Sequence, residues 1–169
     1  MRLRTEVRAY LPPPDQDEIS ARQLESLPLL RAICEETLRL HPTIPTTYRI
    51  AVRDSSIQGI NIPKGTHIII DFQGINRDTS IWGLDSDAFI PDRWLQDDAR
   101  QSHMSFSSGP HNCIGRDIAR STMLCTIACL FGRFAIQLRD PDSQFKETGH
   151  IGMHAAQDCE VIIRQIEGW

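Results

Sequence analysis

The ten-residue segment FSSGPHNCIG, residues 106–115, carries the most distinctive pattern in the sequence. Two glycines, Gly109 and Gly115, flank a single cysteine, Cys113. Because helical periodicity follows, we expect a glycine-rich loop that delivers this cysteine to the first turn of a helix over residues 113–133. A helix N-terminus stabilises a thiolate, since its free N–H groups and its dipole both favour negative charge. The segment therefore predicts a cysteine that can ligate a metal.

The glycines and the cysteine have both a functional and a structural interpretation. Gly109 and Gly115 lack side chains at positions where a flat cofactor would need a close approach to the backbone. The alternative is that Cys113 is an ordinary buried thiol on an amphipathic helix. We give that structural role to Cys125 and Cys129, which form an apolar stripe on the same helix together with Ile114 and Ile118.

The composition is that of an ordinary folded domain. The chain has 169 residues, of which 40% are hydrophobic and 24% charged, and its net charge is −4. Acidic and basic residues are mixed, so neither a nucleic-acid-binding stripe nor an acidic tail is expected. No apolar run approaches the ~20 residues of a spanning helix. No signal peptide precedes the five cysteines. We therefore expect no membrane segment and no disulfide framework in this chain, and we interpret any special cysteine as a ligand or a nucleophile.

Three helices are predicted in the first quarter of the chain. The first covers residues 1–10, and the second opens at Ser20, which has capping-box spacing with Gln23. The third begins at Pro28 and ends near Leu40. Its apolar residues recur at three- and four-residue steps and predict a buried stripe: Leu27, Leu30, Cys34 and Leu38.

The pattern then changes from helical to alternating. Residues 48–53 and residues 66–70 predict two strands separated by turn residues, and residues 160–164 predict another. Residues 71–110 are expected to be mostly irregular, and so long an irregular stretch is usually functional. Together with the helices, these segments indicate a mainly helical α+β fold with small antiparallel sheets.

The cysteine segment also matches a known family motif. Its spacing, Phe-x-x-Gly-x-basic-x-Cys-x-Gly, resembles the cysteine-ligand loop of the cytochrome P450 family of haem-thiolate monooxygenases. The resemblance implies that Cys113 is the axial thiolate ligand of the iron in haem b (iron protoporphyrin IX). It also implies that Phe106 packs beside the thiolate and that Gly109 and Gly115 lie against the cofactor.

A second motif, Glu36-x-x-Arg39, is similar to the Glu-x-x-Arg pair of the same family. At this spacing the two charges share one helix face. The neighbours of Glu36 on that face are apolar, so the pair must be well hydrogen-bonded to persist. Arg93, in the segment PDRW of residues 91–94, resembles the arginine of the family's Pro-x-Arg-aromatic meander. The resemblance implies a structural Glu-Arg-Arg network that orients the loop before Cys113 and has no catalytic role.

Two further residues are matched to ligands of the haem propionates. Arg49 lies in the predicted strand where relatives often place a propionate-binding arginine, and a guanidinium fits a carboxylate. The alternative is an exposed arginine that faces away from Ile50 and Val52. His111 stands where most relatives have arginine. A histidine differs from an arginine in that its charge depends on pH. The remaining histidines have no motif around them and are interpreted as ordinary surface or packing residues: His41, His67, His103, His150 and His154.

A zinc site is the competing metal interpretation. It would be built from His111 and Cys113 together with Cys125 or Cys129. The cysteines lack Cys-x-x-Cys spacing, and one helix cannot direct four such side chains at one point. We therefore expect haem rather than zinc.

The resemblance covers residues 1–169 and implies the C-terminal, haem-binding part of a cytochrome P450 domain, which is the proximal half of that fold. The amino-acid sequence of the cysteine loop is most similar to that of fungal members of the microsomal type. The family's N-terminal half, with its distal oxygen-activating helix and its membrane anchor, does not occur in this sequence. We therefore expect a fragment that does not hydroxylate a substrate alone. Full-length relatives are often anchored in the endoplasmic reticulum membrane. We make no prediction of a location for this chain.

The implied family reaction is monooxygenation, in which one atom of dioxygen enters a small organic or lipophilic substrate. NADPH-cytochrome reductase is the implied electron donor. Arg116 and Arg120, on the helix after Cys113, are candidate contacts for an acidic reductase, with a solvated helix face as the alternative. Three other functions stay open: a non-catalytic or degenerate haem-binding fragment, a haem-thiolate isomerase or peroxygenase that needs no reductase, and a remnant that binds nothing.

Overall fold

The computed structural model describes residues 2–13, 16–96, 103–142, 147–148, 152, 154–155 and 160–169. The helices within these ranges are α1 (Arg2–Tyr10), α2 (Ala21–Glu25), α3 (Pro28–Leu40), α4 (Phe72–Ile75), α5 (Thr79–Trp82) and α6 (Arg116–Arg133), with 3₁₀ helices at Pro91–Leu95 and Gly109–His111. The strands are β1 (Thr46–Ile50), β2 (Ser55–Ile57), β3 (Ile60–Ile62), β4 (His67–Asp71), β5 (Phe134–Leu138), β6 (Glu147–Thr148), β7 (His154–Ala155) and β8 (Val161–Gln165). In the part of the chain described, none of the helices is long and apolar enough to cross a membrane.

The three predicted N-terminal helices are confirmed as α1, α2 and α3. The capping box of α2 is complete, because the Ser20 side chain accepts from the Gln23 N–H and the Gln23 side chain accepts from the Ser20 N–H. Pro28 occupies the first turn of α3, where its missing N–H costs nothing. The helix ends at Leu40, just before Pro42.

The main core lies between α1, α2, α3 and α6. Three of the four residues in the predicted α3 stripe are buried, and Leu38 is half-buried. Aliphatic side chains from the other three helices pack against them and remove their apolar surface from water. The buried members of this core are Leu3, Val7, Leu11, Leu24, Leu27, Leu30, Cys34, Leu124 and Ala128.

The predicted apolar stripe of α6 is wrong. Ile114 and Ile118 are 103% and 75% exposed, Cys125 is exposed and Cys129 is only half-buried. The buried face of α6 is instead a row spaced four residues apart, formed by Leu124, Ala128 and Gly132. Each step along a helix turns the side chain by about 100°, so a neighbouring apolar row faces a different direction. Periodicity alone did not identify which of the two rows faces α1 and α3.

Within the described residues the strands form four two-stranded antiparallel sheets, and small antiparallel sheets are what the sequence predicted. β1 pairs with β4, β2 with β3, β5 with β8 and β6 with β7. In the first pair Arg49 lies opposite Ile68. The strand predicted over residues 48–53 is β1, which begins and ends earlier than predicted. Exposed and less exposed side chains alternate along it, but the exposed ones are hydrophobic. Tyr48 and Ile50 are 64% and 58% exposed, whereas Arg49 lies on the less exposed face.

Residues 71–110 contain more regular structure than the sequence indicated. The Asp71 side chain accepts from the Gly74 N–H at 2.9 Å and caps α4. The Asp78 side chain accepts from the Ser80 N–H at 2.8 Å and caps α5. Because each helix is a single turn, it has too few residues to show a helical period, and the capping aspartates were its only local signal.

The C-terminal residues are hydrogen-bonded to residues of α1 and to Leu11 just after it. Arg8 Nε donates to the carbonyl oxygen of Gly132 at 2.9 Å, and its Nη1 donates to that of Glu167 at 3.0 Å. Trp169 Nε1 donates to the carbonyl oxygen of Leu11 at 3.1 Å. The Trp169 ring lies directly over Gly132, where an added Cβ would overlap it.

We predict that Gly132→Ala lowers the free energy of unfolding by about 1–3 kcal/mol, because the new methyl group must displace the Trp169 ring. A glycine-to-alanine change inside a helix normally raises stability by about 0.5–1 kcal/mol, so the sign of the change is diagnostic. Urea unfolding followed by circular dichroism measures it. The matched control is Thr122→Ala on the exposed face of the same helix. A stabilised Gly132→Ala protein would contradict the contact.

Candidate functional site

Cys113 lies in the loop between the 3₁₀ helix Gly109–His111 and α6. Its N–H donates to the carbonyl oxygen of Phe106 at 2.9 Å, and its own carbonyl oxygen accepts from the Arg116 N–H at 3.3 Å. The backbone is thus held at both sides of an exposed thiol. Gly109 has φ +76°, a left-handed conformation that side chains disfavour, and an added Cβ there would meet nothing within 4 Å.

The prediction that Cys113 lies in the first helical turn is wrong. The helix begins at Arg116, with Gly115 as its N-cap residue. Residues 114–115 form a turn that separates the cysteine from the helix, because the preceding residues close a 3₁₀ turn of their own. A Cβ on Gly115 would lie 3.8 Å from the Cys113 sulfur, so the glycine keeps the backbone beside the thiol free of side chain.

Two other cysteines, Cys34 and Cys129, differ from Cys113 in their surroundings. Cys34 is 3% exposed, and its burial, together with the nearby charge of Glu35, raises the pKa of its thiol to about 12. Burial, with the neighbouring Cys125, also raises the pKa of Cys129. Such thiols stay protonated at neutral pH and are poor metal ligands. Cys159 lies outside the described residues.

Glu36, Arg39 and Arg93 are brought together as the sequence predicted. Glu36 and Arg39 are fully buried and form a two-point ion pair, with Arg39 Nε and Nη2 at 2.8 Å and 2.9 Å from the two carboxylate oxygens. Arg93 Nε donates to Glu36 Oε1 at 3.0 Å. Two further donors complete the set, the Ile90 N–H at 2.8 Å and Trp94 Nε1 at 2.9 Å.

These donors explain why a fully buried carboxylate remains charged. Burial is the strongest single influence on the pKa of Glu36 and acts to raise it. The hydrogen bonds from Arg39, Ile90, Trp94 and Arg93 together outweigh burial and lower the pKa to about 2. Glu36 therefore attaches the segment around Pro91–Leu95 to α3 as an anion.

Asn76 extends this network towards the cysteine loop, and no sequence pattern indicated its role. The side chain of Asn76 is fully buried, and its backbone carbonyl oxygen accepts from Arg39 Nη1 at 2.8 Å. Its side-chain oxygen accepts from the Met104 N–H at 2.7 Å, and its Nδ2 donates to Ser105 Oγ at 3.0 Å. A polar residue in an irregular segment has no periodic signal of burial, so only its contacts identify it.

Two predicted haem contacts, Arg49 and His111, are not joined to this network by any hydrogen bond among the described residues. Arg49 is half-buried, and its Nη1 donates to Thr47 Oγ1 at 3.1 Å and to the Tyr48 carbonyl oxygen at 2.8 Å. Within the described ranges it has no carboxylate partner. His111 is exposed at the end of its 3₁₀ helix.

Of the two roles expected for His103, surface or packing, the structure shows packing, together with a specific polar partner that the sequence did not indicate. Its side chain is 6% exposed and lies 2.9 Å from a carboxylate oxygen of Glu35. Phe106, its neighbour in the loop, is half-buried, with the two ring centroids 6.1 Å apart. His150 lies outside the described residues.

The exposed site fits a haem by its donor chemistry. The thiol of Cys113 is accessible, the backbone at Gly109 and Gly115 carries no side chain, and Arg49 has a guanidinium free of acidic partners in the described ranges. A thiolate is a suitable axial ligand to haem iron, and a guanidinium is a suitable partner for a propionate.

We predict that the stability provided by Glu36 is lost in acid. Its pKa in the folded protein, about 2, lies below the ordinary 4.5. The contribution is therefore complete above pH ~4.5 and disappears as the pH falls towards ~2. Glu36→Gln should unfold about 3 kcal/mol more easily at neutral pH, and this difference should shrink below pH 4.5.

Urea unfolding at a series of pH values measures this difference, with the exposed Glu18→Gln as the control. A gap between wild type and Glu36→Gln that is constant from pH 6 to pH 2 would contradict the charged, hydrogen-bonded state of Glu36.

Comparisons with known proteins agree with the fold and the motif. The family model for cytochrome P450 matches residues 1–158. The cytochrome P450 monooxygenase sphH of Aspergillus fumigatus is 35% identical over 99% of the chain, and buaD of Petromyces alliaceus is also 35% identical over 99%. The chain covers 33% and 34% of these proteins, so it spans about a third of the length of the curated relatives it matches.

The crystal structure of a cytochrome P450, CYP102L1, superposes with a TM-score of 0.87 at 25% identity, over 98% of this chain and 38% of that one. The P450DA haem domain superposes with a TM-score of 0.86 at 23% identity, over 98% and 37%, which bears on the fold alone. The resemblance read from the cysteine loop and the α+β fold class are therefore confirmed. The chain belongs to the cytochrome P450 family, whose members bind haem.

Proposed function

We propose that these residues form the C-terminal, haem-binding part of a cytochrome P450 monooxygenase, with Cys113 as the thiolate ligand of haem b. The observation that carries the proposal is the Cys113 loop itself. It presents an exposed thiol whose backbone is hydrogen-bonded to Phe106, on a segment fastened to the buried Glu36 network through Asn76. The relatives named as monooxygenases support the class of reaction.

Each residue of the proposed site has a limited task. Cys113 would hold the iron, and Phe106 would shield the thiolate from water. Gly109 and Gly115 let the cofactor approach the backbone. Arg49 and His111 bind the propionates, Arg49 through a guanidinium with no acidic partner in the described ranges. When bound, the haem supplies the chemistry by which one atom of dioxygen enters an organic substrate, and electron donation from the thiolate favours that reaction.

The proposed electron donor is an NADPH-dependent cytochrome reductase, and the substrate is a small organic or lipophilic molecule. Of the two arginines considered as reductase contacts, Arg116 suits this role better. Its side chain is 51% exposed, and its ion pair with the exposed Asp117 is longer, with Nε and Oδ1 3.6 Å apart. Arg120 is 24% exposed and is neutralised by Glu35, with the closest nitrogen and oxygen 2.6 Å apart. A cation already paired in this way adds little attraction for an acidic partner.

We predict that Cys113→Ser abolishes thiolate ligation. A serine hydroxyl is a poor ligand to haem iron, whereas a thiolate produces the red-shifted band of the reduced carbon-monoxide complex. The matched control is Cys125→Ser, which removes another exposed thiol from the same part of the chain. The measurement is the reduced carbon-monoxide spectrum after reconstitution with hemin.

A red-shifted band retained in Cys113→Ser would refute the assignment. In a protein that joins these residues to the N-terminal part of a complete cytochrome P450, substrate oxidation with reductase and NADPH separates a monooxygenase from a peroxygenase, which turns over with peroxide alone, and from a haem binder, which turns over with neither.

We predict that Arg49→Gln speeds haem dissociation about tenfold, because a charge-assisted hydrogen bond to a carboxylate is worth about 1.5 kcal/mol or more. Arg53→Gln, which changes an exposed arginine near the same strand, is the control. Transfer of haem to excess apomyoglobin measures the rates. Equal rates for wild type and Arg49→Gln would exclude a propionate contact.

A further inference from the structure

The side chain of His103 has two hydrogen bonds and one fixed tautomer. Its Nε2 lies 2.9 Å from Glu35 Oε2, and its Nδ1 accepts from the Ser105 N–H at 3.2 Å. Because a backbone N–H only donates, Nδ1 must be free of hydrogen. The tautomer with hydrogen on Nε2 satisfies both contacts at once. The ring orientation is therefore determined from two sides.

Glu35 is itself held in place by a second helix. Arg120, on α6, lies 2.6 Å from Glu35 Oε1, while the other carboxylate oxygen accepts from His103. Burial acts to raise the pKa of Glu35, but the hydrogen bond from His103 and the charge of Arg120 outweigh it and lower the pKa. The carboxylate is thus a charged link between α3, α6 and the loop before Cys113.

The ring of His103 also connects two aromatic residues. The centroid of Trp94 lies 5.9 Å away in an edge-to-face arrangement, and that of Phe106 lies 6.1 Å away with the two rings tilted. Trp94 donates to Glu36, and the carbonyl oxygen of Phe106 accepts from the Cys113 N–H. His103 therefore contacts both Trp94, which belongs to the buried ion-pair network, and Phe106, which is hydrogen-bonded to the Cys113 backbone.

These residues also form one wall of a cavity. An open cavity of about 640 Å³ lies behind the cysteine loop and is bordered by Glu35, Trp94, His103, Phe106 and Arg120. A loop that borders open space is less restrained by packing. Its position then depends on specific hydrogen bonds such as those of His103.

We propose that His103 is a positioning residue for the Cys113 loop: with Glu35 and Arg120 it fixes Ser105 and Phe106, and through them the backbone of the thiolate ligand. The part that concerns the thiolate rests on the proposed function, whereas the effect on the loop does not. His103 touches neither the thiol nor a reacting atom.

Three substitutions separate the contributions of this side chain. His103→Phe keeps an aromatic ring and removes both hydrogen bonds. His103→Gln places a donor near the position of Nε2, within reach of Glu35, and His103→Asn places an acceptor near that of Nδ1, within reach of Ser105. His67→Phe, at an exposed histidine of β4, is the matched control.

Two measurements are made on the full chain. Without haem, amide hydrogen exchange at Ser105 and Cys113 should be roughly two- to tenfold faster in His103→Phe, the range expected for loss of a hydrogen bond. Exchange within α1 should not change. With hemin, the fraction of the reduced carbon-monoxide complex that shows the thiolate band should fall in His103→Phe and recover in part in His103→Asn or His103→Gln.

The outcomes distinguish this inference from the proposed function. Loop exchange that equals that of wild type, or exchange that rises equally in α1 and in the loop, would overturn the positioning role. An unchanged thiolate fraction in His103→Phe would overturn its extension to the ligand. A wild-type chain that shows no thiolate band with hemin would refute the proposed function, and the exchange comparison would still decide whether His103 positions the loop.

Discussion

The carboxylate of Glu36 has no contact with water, and its charge is compatible with burial only because five donors surround it. Two come from Arg39 on the same helix, and three come from residues 90–94, far along the chain. A buried ion that loses a partner typically costs about 3–5 kcal/mol. The segment around Pro91–Leu95 is therefore fixed on α3 by an electrostatic requirement and not by apolar packing alone.

The position of Cys113 follows from that requirement through a chain of hydrogen bonds. Arg39 donates to the Asn76 carbonyl oxygen, and the Asn76 side chain binds Met104 and Ser105. Phe106 comes next, and its carbonyl oxygen accepts from the Cys113 N–H. Because every member of a buried polar network must be satisfied, disturbing one member affects the others. The backbone of Cys113 is thus connected to the buried network, although its thiol is exposed.

Local sequence was sufficient where the physical cause is local. The helix α2 begins at a capping box and α3 at a proline in its first turn, both of which can be read directly, and the Glu36–Arg39 pair follows from helical spacing. The cysteine motif and Arg93 identified the family before any contact was known. The α6 stripe was wrong because this helix has two apolar rows, and the choice between them depends on which other helices pack against it.

By itself, then, the sequence determined the fold class, the family, the cysteine of the proposed haem site and the three charges of the buried network. Only the tertiary structure decided that Asn76 and His103 belong to the support of the cysteine loop, and that Arg49 lies on the less exposed face of its strand. The hydrogen bonds involved join residues 28 and 68 positions apart. No local pattern records such contacts, because the surroundings of a polar side chain depend on which distant segments the fold brings against it.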